Sequence, residues 1–271
     1  MTEINGVIKE LLAQKPTIPP TQFNQVYHDR VVSALSPEWY LENRYHLPHG
    51  SSRWRYVEWI RSTIQPHLQG RILDLGCGAG DFTYLLRGDY TIIGVDYSAE
   101  SLRMARTIQA ELHHRASFVS GDVTALPFED HSIDRVYCID VWEHLTSEQK
   151  QRAAHELKRV MAKGAKGWII TPNGTMHRLS RMIAALRRLP ETEQEQLAAI
   201  SHLDESGFRA TRRQLQRFFH VTMGAYFAAY PLLRHLLPEQ ASSTDFQRFA
   251  SWIPFYRSAF ASYLIAEFTH A

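Results

Sequence analysis

The stretch RILDLGCGAGDF, residues 71–82, constrains this chain more than any other. A short apolar run ends at Leu75, and glycines then stand at alternate positions 76, 78 and 80. The run reads as a buried strand, and the glycines let the backbone turn sharply and approach a ligand where any Cβ would intervene. Strand, glycine turn and following helix together make a nucleotide-binding corner of an α/β sheet. The spacing G-x-G-x-G departs from the dinucleotide fingerprint G-x-G-x-x-G, because Asp81 occupies the place of its third glycine. Asp74, at the carboxyl end of the strand, would repel a pyrophosphate. No G-K-[ST] follows, which excludes a Walker loop.

Around this corner the chain alternates between short β-rich runs and amphipathic segments. The runs are RILDL, TIIGVD, ASFVSGD, IDRVYCID and GWIITP. Between them, AESLRMARTIQAEL sets Leu102, Ala105, Ile108 and Leu112 on one helical face behind an N-cap at Ser98. EQKQRAAHELKRVMAKG does the same with Ala153, Leu157, Val160 and Met161, and Gly164 suits its C-cap. Strand and helix repeated in this order predict a mainly parallel, doubly wound α/β sheet covered on both faces. A helix capped by Thr211 (ATRRQLQRFF) and two late strands, HVTMGAYF and SAFASYLIAEF, follow. The last strand hairpins beside its predecessor, giving seven strands with a reversed edge. The expected organisation is an N-terminal helical cap over residues 1–60 and one sheet domain over 61–271, with helical insertions near 174–210 and 228–255.

Composition supports an ordinary globular chain: 44% of the 271 residues are hydrophobic and 21% charged. No window approaches the roughly 18 uninterrupted apolar residues of a membrane span. The N-terminus lacks a basic start and apolar middle, which reads as a cytoplasmic protein. The two cysteines, Cys77 in the glycine turn and Cys138 in a strand, support neither a disulfide framework nor a cysteine-rich metal site. His46 and His49 have no ligand partners nearby and read as a loop, so no metal is expected. A net charge of +2 is too small to imply a nucleic-acid partner. Nine arginines against five acids between Gly174 and Leu237 read as a solvated surface.

A carboxylate at Asp74 suits a ligand that presents an ammonium group, while the turn and helix start near Gly80 suit a carboxylate. S-adenosylmethionine carries both. LDLGCGAGDF resembles the first motif of class I S-adenosylmethionine-dependent methyltransferases, and three further places extend the resemblance. Asp96 ends the second strand eighteen residues after Gly78, where an acid accepts both ribose hydroxyls, with Tyr97 beside it. SGDVTALPF resembles the family segment whose aspartate bonds the adenine amino group, which maps to Asp122, with Val123 offering its amide. DRVYCIDVWEHL is similar to the fourth strand and following turn of the ubiquinone- and menaquinone-biosynthesis-like (type 11) branch. The resemblance covers about residues 70–173 and implies a Rossmann-like fold. It also implies cofactor contacts at Asp74, Gly76, Cys77, Gly78, Gly80, Asp96, Tyr97, Asp122, Val123 and Asp140, and S-adenosylhomocysteine as product.

Methyl transfer from a sulfonium is an in-line displacement, so the protein's task is alignment and, for a hydroxyl or acidic carbon, proton removal. Asp140, Glu143 and His144 lie after the fourth strand and qualify by position; Glu143 and His144 equally suit a structural role in the turn. In many relatives a histidine follows the fifth strand, which maps to His202 as base or orienter. The resemblance also puts a basic residue of the N-terminal helix, Arg53 or Arg55, near the methionine carboxylate, with Arg55 preferred. Tyr27 and Tyr40 stay unassigned. The turn is not of the N-P-P-Y type, which argues against DNA, and arsenic methylation would need further cysteines. Apolar caps favour an aromatic or lipid-like small molecule without stable membrane insertion. Two alternatives stay open: a protein or RNA methyltransferase, supported by arginines 187, 188, 209, 212, 213 and 217, and a non-catalytic cofactor-binding protein. Oligomeric state is not legible in the sequence.

Overall fold

The computed structural model describes residues 20–86, 88–175, 206–226 and 262–270, with residues 6, 7, 9–11, 13, 178, 181, 182 and 202–204. Seven strands form one sheet: β1 (Arg71–Leu75), β2 (Thr91–Asp96), β3 (Ala116–Ser120), β4 (Ile133–Ile139), β5 (Met161–Pro172), β6 (His220–Tyr226) and β7 (Tyr263–Thr269). Their order is β3-β2-β1-β4-β5-β7-β6. The pairs from β3 through β5 are parallel. β7 runs antiparallel to both β5 and β6, so the reversed strand stands one in from the edge and β6 closes the sheet. The two strands that leave β1's neighbourhood on opposite sides, β2 and β4, make β1 the switch point at which a doubly wound sheet opens a crevice.

Each helix follows from its caps and its apolar face. α1 (Pro20–Ser33) and the short α2 (Pro37–Tyr40) precede a π-helical turn, Leu41–Tyr45. α3 (Ser52–Ile64) starts at Ser51, whose side chain accepts from Trp54 N. It buries Tyr56, Val57, Ile60 and Ile64 against Ile72, Ile92, Trp168 and Ile170 on one sheet face. α4 (Asp81–Leu85) follows the glycine turn, and α5 (Ala99–Leu112) is capped by Ser98 and buries Leu102, Ala105 and Ile108. α6 (Ser147–Val160) opens with a reciprocal capping box between Thr146 and Gln149 and packs Ala153, Leu157 and Val160 into the core. α7 (Phe208–Leu215) leads into β6.

Two expectations are corrected. α6 ends at Val160 and β5 begins at once, so Gly164 is no C-cap. It sits at φ +75° in a bulge where Met161 still pairs Ile133 but Lys166 pairs Arg135. Thr211 is no N-cap either: α7 starts from Gly207, and Thr211 is buried inside the helix. The insertions proposed for residues 174–210 and 228–255 lie largely outside the described residues. Among those described, no helix is long and apolar enough to cross a membrane.

Candidate functional site

The glycine turn is fastened to the end of β2. Gly76 and Cys77 both donate their N–H groups to Val95 O, at 2.8 and 3.0 Å. Gly76 has φ +75°, and a Cβ on it would stand 2.5 Å from the side chain of Val141. At Gly78, with φ +53°, the missing side chain leaves open space. Gly80 takes φ +90° to start α4, under the ring of Tyr84. Cys77 points away from the crevice, against Gly94 and Phe118, and burial pushes its thiol pKa up. Asp74 is 3% exposed and accepts from Thr83 Oγ1 at 2.6 Å, behind the turn. Burial raises its pKa to about 7.

In front of the turn lies a cavity of about 290 Å³ whose lining includes Gly76, Gly78, Asp96, Tyr97, Asp122 and Val123. Asp96 accepts from Gly78 N through one oxygen and from Ser98 N through the other, both at 2.9 Å. Asp122 accepts from Thr124 N at 2.8 Å. Each carboxylate oxygen has a second lone-pair direction available beyond these bonds. Two carboxylates beside a side-chain-free patch of backbone fit the hydroxyl and amino edges of a nucleoside, as S-adenosylmethionine requires. Val123, Asp140 and His144 complete the set of expected residues on the wall. Asp74, Cys77, Gly80, Arg55 and His202 do not line it.

The opposite end of the cavity is assembled from distant segments. α1 contributes Gln25 and His28, the turn after β4 contributes Asp140, Val141 and His144, and Leu203 closes the side. Asp140 has a left-handed backbone, φ +57°, held by its N–H to Ile170 O at 3.0 Å. His28 meets His144 edge-on at 6.2 Å, and His144 meets His202 at 5.1 Å, so His202 stands behind His144. Burial, with His144 and Arg44 adding to it, lowers the His28 pKa to about 4, which leaves that imidazole neutral at pH 7. Glu143 is 2% exposed, accepts from Thr171 Oγ1 at 3.0 Å, and is raised to about 7 by burial and by Asp140. The loop at 202–204 is tied to this turn by Asp204 N to Glu143 O at 3.3 Å and by Ser147 Oγ to the Asp204 carboxylate at 2.8 Å.

A charged joint holds the N-terminal elements to both the glycine turn and β4. Arg53 lies 3.1 Å from Asp81 and 3.9 Å from Asp140. Arg44, on the π-helical turn, adds a contact to Asp81 at 3.9 Å, and the Tyr40 hydroxyl donates to the same carboxylate. Tyr56 Oη donates to Asp140 at 2.8 Å. Of the two arginines considered for α3, Arg53 therefore reaches Asp140 and Asp81 without lining the cavity, whereas Arg55 is on the exposed face. Sequence reasoning missed Gln25, His28 and this joint. Gln25 and His28, three apart on one helical face, were the only signal for the first two. The side chain of Tyr27 and arginines 187 and 188 lie outside the described residues. Arginines 209, 212, 213 and 217 are exposed on and after α7, away from the cavity lining.

Residues 72–164 match the family model described as a methyltransferase domain. A demethylmenaquinone methyltransferase of Roseiflexus sp. (strain RS-1) is 32% identical over 125 residues, 44% of this chain and 50% of that protein. A chloroplastic tocopherol O-methyltransferase of Arabidopsis thaliana is 32% identical over 105 residues, 37% of this chain and 30% of the relative. The matches thus span half or less of these relatives' length. Among solved structures, phosphoethanolamine N-methyltransferase 2 of Haemonchus contortus, in complex with S-adenosyl-L-methionine, superposes with a TM-score of 0.57 at 17% identity. It covers 93% of this chain and 60% of its own.

Proposed function

We propose that this chain, whose residues 72–164 match a methyltransferase-domain model, is a class I S-adenosylmethionine-dependent methyltransferase that methylates a small molecule at oxygen or carbon, releasing S-adenosylhomocysteine. The observation that carries the reading is the cavity itself: glycine backbone and two carboxylates at one end, titratable side chains at the other. The bound cofactor supplies an activated methyl group. The protein's part is to hold and align. Gly76 and Gly78 let the backbone close on the ligand, Asp96 takes the ribose hydroxyls, and Asp122 with Val123 takes the adenine edge. Asp74 acts from behind the turn as a positioning residue, fixing Thr83 and hence the start of α4.

The acceptor enters at the His28, Asp140 and His144 end, and His144 handles its hydroxyl or acidic carbon, backed by His202. An aromatic or quinone-like acceptor is in keeping with the two relatives above, whose names are those of demethylmenaquinone and tocopherol methylation. The exposed arginines of α7 lie off the cavity and lend no support to an RNA or protein substrate. The reading carries no DNA partner and no stable membrane insertion. Incubation with methyl-labelled cofactor and a cell extract tests it. Label is expected in the small-molecule fraction, with S-adenosylhomocysteine formed in equal amount. Label confined to protein or RNA would overturn the acceptor class, and no cofactor binding in calorimetry would overturn the whole reading.

A further inference from the structure

At and behind the acceptor wall three donor groups converge, one of them the His144 already placed beside the acceptor. Glu143 Oε1 lies 4.0 Å from His144 Nε2. Among the described residues, the ligand atoms of Glu143, His144 and His202 all fall within 4.8 Å of one another. We propose that these three side chains hold one divalent transition-metal ion, with its open side toward the cavity.

Several observations favour an ion over mere packing. Two imidazoles and one carboxylate are a donor set suited to zinc and its first-row neighbours. Around a tetrahedral ion with bonds near 2.1 Å, donor atoms stand about 3.4 Å apart, so side-chain rotations of roughly 1 Å close the site. The carboxylate is already oriented: Thr171 Oγ1 occupies Glu143 Oε2 at 3.0 Å and leaves Oε1 turned to His144, as an outer hydrogen bond fixes a metal ligand. Trp142–His144 form a 3-10 turn that supplies two of the ligands, and the bonds from Asp204 anchor the loop that supplies the third. His144 and Leu203 both line the cavity, so the ion's remaining position opens there.

The consequence rests on the acceptor-pocket reading above. An acceptor hydroxyl would bind through the ion, a Lewis acid that lowers its pKa. Its proton would pass to water in the cavity, and its oxygen would take the methyl group from the sulfonium to leave S-adenosylhomocysteine. His144 would serve the acceptor as the ion's ligand. That narrows the acceptor to a hydroxyl-bearing molecule.

Calorimetry with zinc ion on the full, chelator-stripped chain tests the site without reference to turnover. Cofactor affinity, measured in parallel, reports on the fold and on the methyltransferase reading separately. One ion per chain is expected, bound at least tenfold more weakly in His202→Ala and Glu143→Gln while cofactor affinity stays within twofold. No zinc binding, or zinc binding indifferent to both variants, overturns the proposal even if the cofactor binds. Should a variant lose the cofactor too, X-ray absorption on the zinc-loaded wild type decides. Two imidazoles and a carboxylate oxygen around the ion sustain the site; a shell without imidazole overturns it.

Discussion

At one end of the cavity the wall comes from one stretch of chain, Gly76 to Val123, and much of its geometry is backbone: two N–H groups on Val95 O and two more on Asp96. At the other end it comes from α1, the turn after β4 and the loop at Leu203, and its geometry is side chain against side chain. The first end forms where β1, β2 and β3 pair within one continuous run of chain, and glycine lets its backbone close. The second exists only after distant segments have packed. On the proposed reading, a site divided this way can keep the cofactor and vary the acceptor, because different segments of chain line the two ends.

Four experiments bear on that division, from the largest effect to the smallest. His144→Ala should lower turnover by about 10²–10⁴-fold with cofactor affinity unchanged; a comparable loss in calorimetric cofactor binding would merge the two ends. Asp96→Ala should weaken cofactor binding by about 1–3 kcal/mol, since buried hydroxyls lose a charged acceptor. Its acceptor KM should stay constant, and a shift there would again breach the division. Arg53→Ala removes the cation between Asp81 and Asp140 and should cost about 1–2 kcal/mol of folding stability, because the joint is only partly buried. A denaturant midpoint left in place would mean that the N-terminal elements dock without it.

The fourth concerns pH. Burial raises Asp74 from the usual 3.8 to about 7, so the folded chain holds a proton there that the unfolded chain has lost. That contribution is full below about pH 4 and disappears as pH rises through 7. Asp74→Asn does not titrate, and the variant should therefore gain on the wild type in melting temperature between about pH 4 and 8. Parallel melting curves across that range would show that Asp74 is not perturbed.

The same division sets what could be read without coordinates. The strand ends were legible because each β-rich run ends where its apolar residues give out: Gly76 follows RILDL, Asp96 closes TIIGVD, and Asp140 follows IDRVYCI. The cap at Ser98 was legible because it works through a neighbour three residues away. Gly164 and Thr211 misled because local propensity suited a cap at each. What decided otherwise was tertiary: β5 pairs with β4 immediately after α6, and α7 takes its N-cap at Gly207, four residues ahead of Thr211. His28 stayed hidden because α1, PTQFNQVYHDRVVS, is mostly polar and its role depends on meeting His144.

The antiparallel β7 has a bearing on how this sheet comes into being. Residues 263–269 are translated after every strand they join, yet β6 touches the sheet only through them. Until that segment leaves the ribosome, the outer edge of β5 stays unpaired and β6 has nowhere to dock. The first five strands can assemble vectorially as they emerge, while the last two must wait and enter together.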